Sequence, residues 1–236
     1  MKDYLIRGLS THRDTCPVTH LRDGCVTYII DNDYYYRYIR DTKRDIKVIA
    51  PLNACKDSRL MYFDDPLYAF TMYHNHIHRW DEVIEPVIGS NCNIHSSAVL
   101  NVEGIRFATA SDGSKIQFIH TGSLVIGDNV DVGPHSVIHR GTMGPTTIED
   151  GVKIGSLSNI GHNAQIGKNT IIAIGVVVNG SARIGKNCYI WSGALVRNRV
   201  QICDNAKVGT GAVVLDDITT PGTYVGVPAK KLNGGT

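Results

Sequence analysis

An aliphatic residue recurs at every sixth position from Ile148 to Val214, passing through Ile154, Ile160, Ile166, Ile172, Val178, Ile184, Ile190, Val196, Ile202 and Val208. The same register occurs earlier at Ile126, Val132 and Ile138, and earlier still at Ile88, Ile94 and Leu100. Four residues after each aliphatic stands a small or short side chain, as at Ser136, Ser158, Ala164, Thr170, Ala182, Ala194, Ala206 and Ala212. A period of six fits neither the 3.6-residue helix nor the two-residue strand. It fits a prism, in which a hexad makes one flat side and one corner and three hexads make a coil. Both the aliphatic and the small residue point inward, and Gly or Asn takes the corner conformations closed to most residues. Coils stack at the strand spacing of about 4.8 Å, so residues 18 apart in sequence lie on one another.

The expected fold is therefore mainly β: a left-handed parallel β-helix of hexapeptide repeats, preceded by a small α/β module. Two breaks interrupt the repeat. Between Ile138 and Ile148 the spacing is ten, an insertion of four residues around Met143-Gly144-Pro145, and Asn101 to Val125 leaves the register altogether. Insertions of this kind map to loops, where function concentrates. Residues 1–84 carry no hexad; strands are expected over 26–30 and 46–50, and short helices over 34–40 and 67–74. The expected division is 1–84 for the small module, 85–219 for the β-helix and 220–236 for a C-terminal tail.

Charged residues make up only 19% of the chain and 24 residues are Gly, which suits short strands joined by tight turns. The formal charge of +2 makes no case for nucleic acid or a membrane surface as partner. The six cysteines show no C-x-x-C pair, and Met1-Lys2-Asp3-Tyr4 opens no apolar run of signal length. These features predict a reduced, cytoplasmic protein. His74, His76 and His78 alternate, which on a strand would put three imidazoles on one face; no Cys or carboxylate completes a metal set, so no metal is expected.

Ile126-Gly127-Asp128-Asn129-Val130, His139-Arg140-Gly141, Ile160-Gly161-His162-Asn163, Gln201-Ile202-Cys203-Asp204 and Ile218-Thr219-Thr220-Pro221-Gly222 resemble the UDP-3-O-acylglucosamine N-acyltransferases of lipid A biosynthesis. The segment Gly104 to Thr121 resembles that family's insertion. Asn32 with Tyr35 and Asp65-Pro66-Leu67-Tyr68-Ala69-Phe70 resemble its N-terminal module. The resemblance implies a UDP-sugar amine acceptor, a uridine-binding N-terminal domain and a catalytic histidine at His162. It places uridine contacts at Asn32 and Tyr35. The family's stacking Phe falls at Ile29, leaving Tyr28 or Tyr34 as substitutes.

N-acylation needs an amine lone pair attacking a thioester, a base for its proton and a donor for the oxyanion. An imidazole is suited to take that proton near neutral pH. One coil beyond His162 stands Gly180, which leaves space above the ring and offers its backbone N–H to an oxyanion. His120, His139 and Arg140 are further candidates for the acceptor, Arg140 lying one coil before His162. The sequence also departs from the family: Gly155 and Ser156 replace an Asp-Asn pair, Arg199 a second histidine, and His139 an aspartate. Gly226-Val227-Pro228-Ala229-Lys230-Lys231 looks like the tail of hexapeptide acetyltransferases that use acetyl-CoA, and the chain stops at Thr236 without the helices that contact acyl carrier protein. Ala182, Arg197, Arg199, Lys207, Lys230 and Lys231 are then candidates to bind acetyl-CoA.

These residues predict a homotrimeric N-acetyltransferase that moves acetyl from acetyl-CoA to a nucleotide-linked amino sugar. The alternative in the same class is a UDP-3-O-acylglucosamine N-acyltransferase fed by acyl carrier protein. More remote are a zinc enzyme of the carbonic anhydrase type, whose three-histidine spacing is not reproduced by His120, His135, His139 and His162, and a silent sugar-binding scaffold.

Overall fold

A computed structural model describes residues 9, 14–19, 21–78 and 84–232. The Met1–Tyr4 reading therefore lies outside the described residues. The chain forms two compact units, Met1–Val83 with Ile105–Ile119, and Ile84–Gly104 with His120–Thr236. The register-free segment is thus divided: its middle, residues 105–119, packs with the N-terminal residues rather than with the coils.

In the first unit, four parallel strands, β1 (Asp14–Thr15), β2 (Cys25–Tyr28), β3 (Ile46–Pro51) and β4 (Leu60–Phe63), pair in chain order. Parallel neighbours need crossovers. One is α1 (Asn32–Tyr34) running into a π turn at Tyr35–Ile39. Helix α2 (Pro66–Ile77) starts with Asp65 accepting from the Tyr68 N–H and with Pro at its first turn, both standard start signals. Ile29, Tyr35, Ile39, Ile46, Val48 and Leu60 form the core. Phe107–Thr109 and Lys115–Gln117 add a hairpin, and Asn75 on α2 bonds Gln117 O and Ile119 N.

Residues 66–77 are helical, as expected for 67–74, so the three histidines do not line one strand face; His74 and His78, the extended residue that caps the helix, have ring centres 4.5 Å apart. Buried His74 bonds Thr15 Oγ1 and Ile119 O through its two nitrogens. Among the described residues no cluster of His, Cys, Asp or Glu has the makings of a metal site. The expectation of six reduced cysteines also fails, since Cys16, just after β1, and Cys25, the first residue of β2, are joined as a disulfide. Among the described residues, no helix is long and apolar enough to cross a membrane.

The second unit is a three-faced parallel β-solenoid. The first face contains strands at 87–88, 124–126, 146–148, 165–166, 183–184 and 201–202; the second runs from 93–94 to 206–208; the third runs from 99–102 to 213–214. Partners are 18 residues apart after the insertion, as in Asn159↔Val177, and 22 apart across it, as in Val137↔Asn159. From Leu124 onward the aliphatic and small positions are buried together as one continuous column. The residue three after the aliphatic takes a left-handed conformation at corner after corner, and it is usually Asn or Gly, as at Asn129, Gly151, Asn163, Asn169, Gly175 and Asn187. The C-terminal segment is part of this architecture: Gly222–Val225 and Lys230–Lys231 extend the second face as a hairpin.

Candidate active site

The corner between the third and first faces stacks His139-Arg140-Gly141, Gly161-His162-Asn163, Asn179-Gly180-Ser181 and Arg197-Asn198-Arg199, because the preceding aliphatics Ile138, Ile160, Val178 and Val196 are in register. His162 lies under Gly180: a Cβ built on Gly180 would stand 2.6 Å from His162 Nε2 and 2.8 Å from Cε1. Gly104 is equally confined, its Cβ falling 2.9 Å from His162 Cδ2 and 2.8 Å from His120 Cε1. The imidazole therefore occupies a slot that exists only because two glycines border it.

The rest of the slot is polar. Nδ1 of His162 lies 3.0 Å from Asn163 Oδ1. That oxygen also accepts from the Thr142 N–H at 3.0 Å and from Thr142 Oγ1 at 2.9 Å, while Asn163 Nδ2 donates to Gly144 O at 2.8 Å. The Asn163 N–H donates to Thr146 Oγ1 at 2.7 Å. The side chain and N–H of Asn163 are thus held by residues 142–146, the stretch that contains the four-residue insertion. His120 is buried, its Nδ1 accepting from the Gly104 N–H at 2.7 Å, and its ring centre lies 5.5 Å from that of His162. At the corner between the first and second faces, the N–H two residues after the aliphatic can be capped by a carboxylate one coil on, as Lys186 N by Asp204 and Asp128 N by Asp150. The equivalent Gly180 N–H has no such acceptor among the described residues.

Sequence reasoning placed His162, Gly180, His139 and Arg140 at one corner, and they meet there. Arg140, however, is engaged: it pairs with Glu103 at 2.5 Å, both side chains largely buried. His139 Nδ1 bonds Glu103 O, and its Nε2 lies 3.4 Å from Asn159 Nδ2. Arg197 and Arg199 are exposed one coil beyond Gly180, and Arg199 keeps a left-handed φ of 64°. Holding an arginine in that conformation costs about 1 kcal/mol, and such strain tends to mark functional positions. Lys207, Lys230 and Lys231 do not join them. They lie on the second face and its hairpin, because residue 207 projects from a strand rather than from this corner. Ala182 is buried, with its carbonyl held by Gln165 N and its N–H by Asn179 O, so it offers no group to a ligand.

In the first unit, Asn32 is exposed while its Oδ1 accepts from Cys55 N at 2.8 Å. Tyr35 is buried, and its hydroxyl donates to Asp57 at 2.9 Å. That bond raises the Tyr35 pKa, with burial adding to it. Hydrogen bonds from Arg59 hold the Asp57 carboxyl far below the usual carboxylate range. Tyr34 is half-buried against Tyr38. Ile29 is fully buried and presents no face to a base, while half-buried Tyr28 stacks on Phe70 at 4.8 Å and has the Arg106 guanidinium 5.8 Å over its ring.

Sequence reasoning missed Asn163, which looks like one more corner asparagine. The available signal was its place one coil after the broken spacing. A groove of about 610 Å³ lies along the first face, bordered by Gln165, Arg183, Lys186, Gln201 and Asp217. None of the corner residues lines it.

Residues 145–180 and 181–216 match the bacterial transferase hexapeptide model, which describes six repeats. Among curated relatives, the UDP-3-O-acylglucosamine N-acyltransferase of Shewanella denitrificans is 46% identical over 137 residues, 58% of this chain and 40% of the relative. The enzyme of the same name from Verminephrobacter eiseniae is 53% identical over 133 residues, 56% of this chain and 40% of the relative. This chain thus spans less than half the length of these relatives. The solved UDP-N-acetylglucosamine O-acyltransferase of Moraxella catarrhalis superposes with a TM-score of 0.56 at 26% identity, covering 61% of this chain and 55% of that one. The resemblance read from the sequence and the hexapeptide solenoid are what these comparisons return.

Proposed function

We propose that this chain is an N-acyltransferase that acylates the amino group of a UDP-linked sugar. The observation that carries the proposal is the His162 slot, with Nε2 packed under Gly180, 2.6 Å from where a Cβ on that glycine would stand. In the proposed reaction the amine nitrogen attacks the thioester carbonyl carbon, and His162 Nε2 takes the proton as the C–N bond forms. The Gly180 N–H donates to the oxyanion. Collapse of the tetrahedral centre breaks the C–S bond, and the imidazolium returns the proton to the leaving thiolate. The names of the relatives favour a 3-O-acylglucosamine acceptor. Acetyl-CoA as donor is the second reading, favoured by Gly226-Val227-Pro228-Ala229-Lys230. In either case Arg197 and Arg199, exposed one coil beyond Gly180, are the candidate counter-charges for the phosphates of a donor. The first unit is assigned the nucleotide, with Asn32 and Tyr34 its most open candidate contacts.

The active form is proposed to be a homotrimer. Val99, Val137, Val177, Leu195 and Val213 point out of the third face, and Leu157, Ile174 and Trp191 are exposed along its border with the second. Leu157 is 63% exposed in a left-handed conformation, two costs that a covering subunit offsets. Monomeric mass in sedimentation at working concentration is incompatible with this assembly.

The test offers the protein acetyl-CoA or acyl-acyl carrier protein with UDP-, dTDP- and GDP-linked amino sugars, and reads free thiol and the mass of the sugar. N-acylation of a UDP-linked amine, lost in His162→Gln with the assembly intact, is the expected result. Turnover undiminished in His162→Gln, or none with any pair, overturns the proposal.

A further inference from the structure

We infer that Asn163 is the positioning residue for His162, and that the four-residue insertion in the solenoid exists to hold it. The inference rests on His162 being the base, but its structural half stands apart from any activity. Exchanging the amide O and N of Asn163 would set Nδ2 against the Thr142 N–H and Oδ1 against Gly144 O, two donors together and two acceptors together. The flanking bonds at 3.0 and 2.8 Å therefore fix the amide orientation. With Oδ1 facing the ring at 3.0 Å, His162 Nδ1 must carry hydrogen and donate. The lone pair is then left on Nε2, the nitrogen beneath Gly180. A base needs this tautomer, since an imidazole protonated at Nε2 has nothing with which to accept the amine proton.

The mount is rigid for identifiable reasons. Asn163 has a φ of 58°, a conformation asparagine tolerates. Its N–H is taken by Thr146 and its side chain by Thr142 and Gly144. Gly141 supplies the room: a Cβ there would lie 2.8 Å from Asn163 Nδ2. An uninterrupted hexad would carry the chain directly from residue 141 into the next strand and would supply no Gly144 carbonyl. The amide also sets the electrostatics. It accepts a hydrogen bond without charge, so it selects a tautomer without the added proton affinity that an aspartate would confer. Among the described residues, His120 stands beside the ring, His139 and Arg140 lie on the coil below, and Glu103, the partner of Arg140, follows the strand beneath that coil. The corner above contributes Asn179, Gly180 and Ser181, which do not titrate.

The test uses the full chain with ¹⁵N-labelled histidine, its His162 signals assigned by their loss in His162→Gln. Multiple-bond ¹H–¹⁵N spectra should show Nδ1 protonated and Nε2 bare in the native protein, and a shift toward the Nε2-protonated form in Asn163→Gly. That substitution keeps the left-handed backbone and deletes the amide. In turnover, Asn163→Gly should lower kcat about ten- to a hundredfold, the usual range for removing a group that orients a functional imidazole, with KM for both substrates within twofold. Asn163→Asp should restore most of kcat and move the acid limb of the kcat/KM profile upward by about one pH unit or more. A native His162 protonated at Nε2 overturns the inference, as does an Asn163→Gly spectrum identical to the native one. The expected tautomer in a protein without acyl transfer would leave the positioning intact and refute only the proposed function.

Discussion

Gly180→Ala tests the site most directly. The added methyl carbon would lie 2.6 Å from His162 Nε2, 2.8 Å from Cε1 and 3.0 Å from Cδ2, and those are the three nearest atoms it meets. Ordinary contact begins near 3.4 Å, so the overlap with Nε2 is several tenths of an ångström and falls on one ring alone. The backbone at Gly180 has no positive φ, so the conflict is purely one of space. Two relaxations are open. If the coil gives, overpacking costs about 1–3 kcal/mol and the methyl still covers the base nitrogen. If the ring swings away, the bond to Asn163 is lost and with it the geometry for proton transfer. General-base contributions are about a hundred- to ten-thousandfold, so kcat/KM should fall at least about a hundredfold by either route. Gly193→Ala is the control. Its position is left-handed and meets no atom within 4 Å, so it costs about 1 kcal/mol of strain while leaving His162 untouched. Thiol release and thermal melts on both variants separate the effects: Gly180→Ala should lose activity out of proportion to stability, and Gly193→Ala the reverse. Activity within twofold of the native protein in Gly180→Ala refutes the placement of Nε2 as the reacting nitrogen.

Two other substitutions follow from the same geometry. Arg199→Asn removes an arginine held at a φ of 64° and should raise the melting temperature, by relief of about 1 kcal/mol of strain, while raising KM for the acyl donor about tenfold; an unchanged KM would take Arg199 out of the donor site. Asp57 pairs with Arg59 at 2.5 Å with both side chains mostly buried, and its pKa is lowered chiefly by that hydrogen bond. A lowered folded-state pKa means the pair stabilises fully above the unfolded value of about 3.9 and is lost as pH falls through the folded value. Asp57→Asn should therefore cost about 2–3 kcal/mol at neutral pH and almost nothing in strong acid. Parallel loss across the whole range in urea melts would contradict this.

The solenoid was legible in the sequence because its cause is local and repeated. Each hexad must bury one aliphatic and one small residue and turn one corner, and Ile154, Ala164 or Asn169 meets that demand wherever it stands. The same arithmetic placed Gly180 over His162 and Arg140 beneath it before any coordinates, since stacking at fixed spacing converts sequence separation into distance. The N-terminal unit was less legible: β1 and β4 are short and were not expected, although the helix over 67–74 was. Site details that depend on partners brought from elsewhere were not legible at all. Arg140 reads as a free cation until Glu103 arrives from outside the register. Lys207 reads as a neighbour of Arg199 until the faces are separated. Asn163 reads as a corner residue until the insertion folds over it. By itself the sequence determined the coil, its register and the residue beneath the gap, because those follow from a period. Only the tertiary structure decided which way the imidazole faces, because a tautomer is set by hydrogen bonds from residues 142–146, whose positions no period specifies.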